Sequence, residues 1–161
     1  MAAKARSWTI VTSKQAVDLA AALRRSILAN ARDYLAPPFK GASHAGIRKL
    51  AASLPTWLSL AKSPADLALA ALLMEKAGTG GALFRNFYRD FLLEARDHLG
   101  AKPALKRAHA LFAESADEWT AVAALIHAAG KGEAQPLNDA AARCLRIADL
   151  EVEAMEQLVT L

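Results

Sequence analysis

Hydrophobic positions recur along this chain at spacings of three and four residues, the period of a helix, over most of its length. Val17, Ala20, Leu23 or Arg24, Ile27, Ala31 and Tyr34 keep that period in a first helix. The Thr12 and Gln15 spacing opens it as a capping box, and Pro37-Pro38 closes it. A second helix is predicted from about Ser43 to Leu54, stopping at Pro55, with a short turn over residues 57–61. Ser63-Pro64-Ala65-Asp66 supplies a Ser cap, a proline at the first helical position and an acid in the first turn. The helix it opens, through Lys76, is apolar nearly all round, which predicts a central position. Further helices are predicted over 82–99, 103–129 and from Pro136 to about Val159. The first of these follows a glycine-rich break. The second carries Leu105, Phe112, Trp119, Val122 and Ile126 on one face, and the third carries Leu137, Ala141, Cys144, Ala148, Val152, Met155 and Val159. Strand character is confined to Ser7-Trp8-Thr9-Ile10-Val11-Thr12. A lone strand cannot stand by itself, so it should lie on the helices or pair with a second subunit or another domain. The pattern predicts an all-α fold: residues 1–161 as a single-domain bundle of about six helices with one short N-terminal strand.

Composition strengthens the helical reading, since Ala, the strongest helix former, makes up about a quarter of the 161 residues. A chain that is 54% hydrophobic and 22% charged is globular, which excludes a disordered one. The single cysteine excludes an internal disulfide. The longest unbroken apolar run, Leu67 to Met74, falls short of the ~20 residues a bilayer requires. Met1 to Val11 lacks the continuous apolar segment of a signal peptide. These features predict a cytoplasmic protein with no membrane partner. The net charge of +4 conceals an asymmetry: nine Lys or Arg against two acids over residues 1–50, and eleven against fourteen over 51–161. The basic residues are spread over several elements without interleaved aromatic readers, so no nucleic-acid partner is predicted. A basic start and an acidic end would suit a complementary contact between subunits.

Candidate chemistry is sparse. Cys144 falls on the apolar stripe of the last helix, where a thiol is a core residue rather than a nucleophile. His44, His98, His109 and His127 show no zinc spacing, and the Glu-x-x-His pairs of helical di-iron proteins are missing. Asp90, Glu94 and His98 stack at i, i+4 and i+8, a pattern that suits a solvated stripe or, in a small enzyme, a polar site. The best binding candidate is the run from Gly78 to Leu92. Gly78, Thr79, Gly80 and Gly81 precede a helix N-terminus, whose free N–H groups favour an anion. Arg85 and Arg89, one turn apart, could add forked donors for a carboxylate or phosphate, with Tyr88 and Glu94 alongside. The competing reading makes the glycines a device for close helix contact. It puts Phe84, Phe87, Tyr88 and Phe91 in the core, and pairs the arginines with Glu75, Asp90 or Glu94. No catalytic set, metal site or cofactor is predicted.

The same run, Gly78-Thr79-Gly80-Gly81-Ala82-Leu83-Phe84-Arg85 continued by Tyr88, Phe91-Leu92 and Glu94-Ala95, resembles the helical C-terminal domain of BtrH-like proteins of butirosin biosynthesis. The surroundings match in order: the Trp8 strand, a helix ending in Pro37-Pro38, Ala45 to Ala51, Trp57, and a late helix with Trp119. The resemblance implies a place in an acyl-transfer system. There, a papain-like Cys/His domain moves an aminoacyl group from a carrier-protein thioester to an aminoglycoside amine. No residue here matches that nucleophile. The chain is then expected to be a helical accessory domain, lacking the catalytic domain and binding a partner domain, a carrier protein or a small-molecule substrate. A stand-alone homo-oligomer, for instance a homodimer, is the alternative. Any acyltransferase activity would need a separate Cys/His domain, and whether the chain is itself an enzyme stays open.

Overall fold

The structure, a computed structural model, describes residues 16–77 and 80–161. In chain order its elements are α1 (Leu19–Leu35), α2 (Ser43–Ser53), a 3-10 turn (Leu54–Thr56), α3 (Trp57–Leu60), α4 (Pro64–Lys76), α5 (Gly81–Leu99), α6 (Pro103–Ala129) and α7 (Gln135–Leu158). Every regular element among the described residues is helical, so the all-α class is observed. The strand expected at Ser7–Thr12 and the Thr12/Gln15 capping box lie outside the described residues. The division into helices differs from the six expected. Pro55 does not end the second helix cleanly but tightens it into a 3-10 turn, which runs on into the four-residue α3. The first helix begins at Leu19 rather than near Thr12, because Asp18 caps it by accepting from the Ala21 N–H at 3.0 Å. Val17, expected on its buried face, is 70% exposed.

Both long helices start with a proline in the first turn and have alanine-rich interiors. Their short connection, including Lys131 and Gly132, folds them back antiparallel. Arg143 reaches Glu118 at 2.6 Å, Arg107 reaches Glu153 at 2.6 Å, and Arg146 pairs with Glu114 along the seam. The other helices pack around this α6–α7 spine in two groups. One core cluster gathers Ile47 and Leu54 with Leu67, Val122, Ile126, Leu137, Cys144 and Ile147, toward the α6–α7 turn. The second gathers Ile27, Leu92, Leu105, Leu111, Phe112, Met155 and Leu158, toward the opposite end. Each fully buried Leu or Ile in these clusters contributes about 1.5–3 kcal/mol.

Two expected placements are corrected. The α7 stripe runs through Cys144, Ile147, Glu151, Ala154 and Leu158, one position away from the expected Val152 and Val159, because Glu151 is inside. α4 is peripheral instead of central. Only Leu67 and Ala71 are buried, against α6 and the α2 region, while Leu69, Leu72 and Leu73 face outward. Its start is as the sequence predicts: the Asp66 carboxylate accepts from the N–H groups of Lys62 and Ser63 at 2.8 and 3.1 Å. An 18-residue window within Pro64–Leu99 reaches a mean hydropathy of 1.3. Among the described residues α4 ends at Lys76 and α5 begins at Gly81, and α4 alone has 13 residues.

Candidate functional site

The two core clusters meet at a charged centre. Glu151, on the inward face of α7, is 1% exposed, an unusual position for a carboxylate. Its charge is met from four directions. Arg85 of α5 donates through Nε to Oε1 at 2.8 Å and through Nη2 to Oε2 at 3.1 Å, a forked pair. Tyr34 of α1 donates to Oε2 at 2.7 Å. Ser115 and Trp119 of α6 donate to Oε1 at 2.7 and 3.2 Å. The guanidinium carbon of Arg85 also lies 4.9 Å from the Trp119 ring centroid, a cation–π contact.

Burial by itself would raise the Glu151 pKa. The charge of Arg85 and the hydrogen bonds from Arg85, Ser115 and Tyr34 outweigh it and hold the carboxyl below its usual range. Tyr34 moves the other way: burial, and then the negative charge of Glu151, push its hydroxyl well above the ordinary tyrosine range. The result is a closed set of one acid, one base and three neutral donors that ties α1, α5, α6 and α7 together. With its oxygens already accepting five hydrogen bonds, Glu151 is built to hold helices in register.

This geometry decides where the sequence candidates go. Gly78 and Thr79 lie outside the described residues. Gly80 and Gly81 have φ of +147° and +67°, and a Cβ on Gly81 would run into the Met74 carbonyl. Close approach of α4 and α5 therefore accounts for glycine at 81. Arg85 and Arg89 are not brought together: Arg85 turns inward to Glu151, whereas Arg89 stays with its own helix, donating to Asp90 at 2.8 Å and Asn86 at 2.7 Å. Tyr88 packs edge-on to Phe112 with ring centroids 4.9 Å apart, and burial pushes its hydroxyl up to about 12. Glu94 is exposed, as are Asp90 and His98. Among the described residues no group of three His, Cys, Asp or Glu is placed to hold a metal ion. Cys144 is fully buried, and burial pushes its thiol up to about 12, far from a thiolate at neutral pH.

Glu151, Ser115, Tyr34 and Trp119 are the network members that sequence reasoning missed. Its signal was a period: Glu151 sits three and four residues from Ala148, Ile147, Ala154 and Met155, all buried. Two of the acids near the chain's end also have intrachain partners, Asp149 with Arg48 at 2.6 Å and Glu153 with Arg107 at 2.6 Å.

The apolar surface lies elsewhere. A groove of about 620 Å³ runs between α4 and α6, lined by Leu69, Leu72, Ala123 and Ala124 and rimmed by Glu75 and His127. A second cavity of about 350 Å³ on the other side of α4 is lined by Trp57, Met74, Gly80, Gly81 and Trp119. α4 thus stands as a ridge with an apolar hollow on each flank.

Neither the curated proteins nor the solved structures contain a match to the chain. A family model described as a domain of unknown function, DUF4872, matches residues 1–158, and the chain belongs to that family.

Proposed function

We propose that this member of the DUF4872 family is a non-catalytic helical interaction domain whose contact surface is the outer face of α4. The observation that carries the reading is an inversion of the usual order. A charged residue occupies the core with every need met, while Leu69 and Leu72 are left 53% and 55% exposed over alanine-lined hollows. Leu60, Phe84 and Phe87 extend the apolar character of the surface. The binding candidate Arg85 is engaged by Glu151, and the thiol is buried and protonated, so neither supplies a nucleophile or a loose anion clamp.

In the setting that the likeness to BtrH-like proteins implies, the domain is accessory: it shapes an acyl-transfer assembly while a Cys/His domain breaks the thioester. The test has two halves. The purified chain, mixed with acyl thioesters, is expected to release no thiol above the buffer rate. Leu69→Glu with Leu72→Glu is expected to abolish association through α4, whether the chain is co-expressed with a papain-like Cys/His domain of such a system or assembles alone. Thioester turnover by the chain alone overturns the reading, and so does association indifferent to those substitutions. The second reading, a stand-alone homo-oligomer, is favoured by one specific feature of α4, the spacing of its outward residues.

A further inference from the structure

Besides Leu73, which borders the hollow on the other flank, the exposed stripe of α4 is Ala65, Leu69, Leu72 and Lys76, with Asp66 beside the first of them. Their spacing of four, three and four is that of a coiled-coil seam, and it places them on one stripe of the helix, opposite the buried Leu67 and Ala71. The spacing also reads the same from either end. Reversing the helix about a point between Ala70 and Ala71 puts Ala65 onto Lys76 and Leu69 onto Leu72. A stripe that maps onto itself on reversal is what an isologous two-fold contact requires.

Charge bears on the same contact: reversal sets Asp66 opposite Glu75, but Glu75 is turned to α6, where its Oε2 accepts from the Thr120 hydroxyl at 3.4 Å. Asp66 is at the N-terminal end of α4 and Lys76 at its C-terminal end, so an antiparallel second copy brings each ammonium to the other's carboxylate, twice. Both cap bonds to Asp66 go to Oδ2, so a cation arriving at the carboxylate need not break the start of the helix. Shape agrees as well. The groove beside the stripe is floored by Ala68, Ala71, Ala123 and Ala124, small enough to admit leucine side chains from a facing helix.

We infer that α4 is a homodimer seam: it packs antiparallel against α4 of a second copy about a two-fold axis between Ala70 and Ala71. Leu69 of each copy then meets Leu72 of the other, and Lys76 of each meets Asp66 of the other. This rests on the reading of α4 as the contact face and names its occupant.

The test uses the full chain in two single-cysteine-added forms, Ala65→Cys and Lys76→Cys, with Cys144 buried in both. Mixed and mildly oxidised, they are expected to form the 65–76 disulfide. Each form alone should not, because like positions lie eleven residues, about 16 Å, apart along the seam. In sedimentation velocity the unmodified chain is expected to run as a dimer and Leu72→Glu as a folded monomer. Lys76→Glu should weaken association by about tenfold, through loss of two rim pairs and gain of two repulsions.

A 65–65 disulfide formed as readily as 65–76, or a monomer at every concentration up to the solubility limit, overturns the two-fold. Two further arms separate this failure from that of the wider reading. A monomer that binds the Cys/His domain through α4 leaves the interaction domain standing with a different occupant. One that instead floats with phospholipid vesicles, and loses this with Leu72→Glu, assigns the face to a lipid surface.

Discussion

Glu151 on α7 and Leu72 on α4 occupy each other's expected environment. The carboxylate is 1% exposed and the leucine 55%. The contrast teaches that burial follows from what surrounds a position. Glu151 goes inside because α1, α5 and α6 each bring a donor to it, turning a large desolvation cost into a satisfied cluster. Leu72 stays outside because the inward side of α4 is already filled by Leu67 and Ala71 against α6, and nothing among the described residues covers the other side. The first region is finished within the chain. The second is left open among the described residues.

The strongest way to break the comparison is to remove the base from the buried cluster. Arg85→Ala leaves the Glu151 carboxylate in the core with only neutral donors and should cost about 3–5 kcal/mol in urea unfolding. The double variant Arg85→Ala with Glu151→Ala should cost less than the sum of the two singles, by about 0.5–3 kcal/mol of coupling. Additive losses would show that the fork contributes no specific interaction. Next in size is Tyr34→Phe, which deletes a 2.7 Å bond to a charged acceptor and should cost about 1.5–3 kcal/mol. A loss below about 0.5 kcal/mol would place the hydroxyl outside the cluster's energetics.

Much of the fold was legible and the centre was not, for one physical reason. Helix positions follow from local signals: the Ser63–Asp66 cap, Pro103 and Pro136 in first turns, and the apolar face of α6, whose Leu105, Phe112, Trp119, Val122 and Ile126 are all buried. Those signals act within a turn or two of chain. Glu151 depends on Tyr34, Arg85 and Ser115, which are 117, 66 and 36 residues away, and no local rule joins them. Assigning the acid to water moved the α7 stripe onto Val152. Reading α4's apolar composition as centrality failed for the complementary reason: periodicity gives the faces of a helix but not how many of them the rest of the chain can cover. In the candidate run, the glycine turn and Tyr88 were found as elements of close packing. The pairing of Arg85 with Arg89 did not survive, because an inward acid competes for the first of them.

A pH series probes the cluster with a smaller effect, at most about 1.36 kcal/mol per pH unit for a single group. Glu151 has a depressed folded pKa, so its contribution is present above the unfolded carboxylate value of ~4.3 and is lost as pH falls through the folded value. Tyr34 has a raised one, so its contribution is complete below ~10 and is lost as pH rises beyond that. Stability measured by urea unfolding should therefore fall at both extremes. Glu151→Gln should flatten the acid limb and Tyr34→Phe the alkaline limb. An acid limb with the same slope in Glu151→Gln would assign acid unfolding to the surface carboxylates instead.

The smallest expected effect is at Leu72, and its smallness is what makes it informative. Leu72→Ser removes an exposed apolar side chain that contributes little to the isolated fold, so unfolding of the dilute, dissociated chain should change by no more than about 0.5 kcal/mol. At concentrations where the α4 seam forms, the same substitution should lower the unfolding midpoint of the variant relative to the parent, because a dimer gains stability by mass action and the variant loses that gain. The concentration dependence of the midpoint is thus the measurement, with Tyr34→Phe as the control. A cluster variant should shift the midpoint equally at every concentration, and a seam variant should not. Equal behaviour of the two would mean that Leu72 belongs to the fold in the same sense as Glu151, and the division between a self-completed core and an open apolar face would be lost.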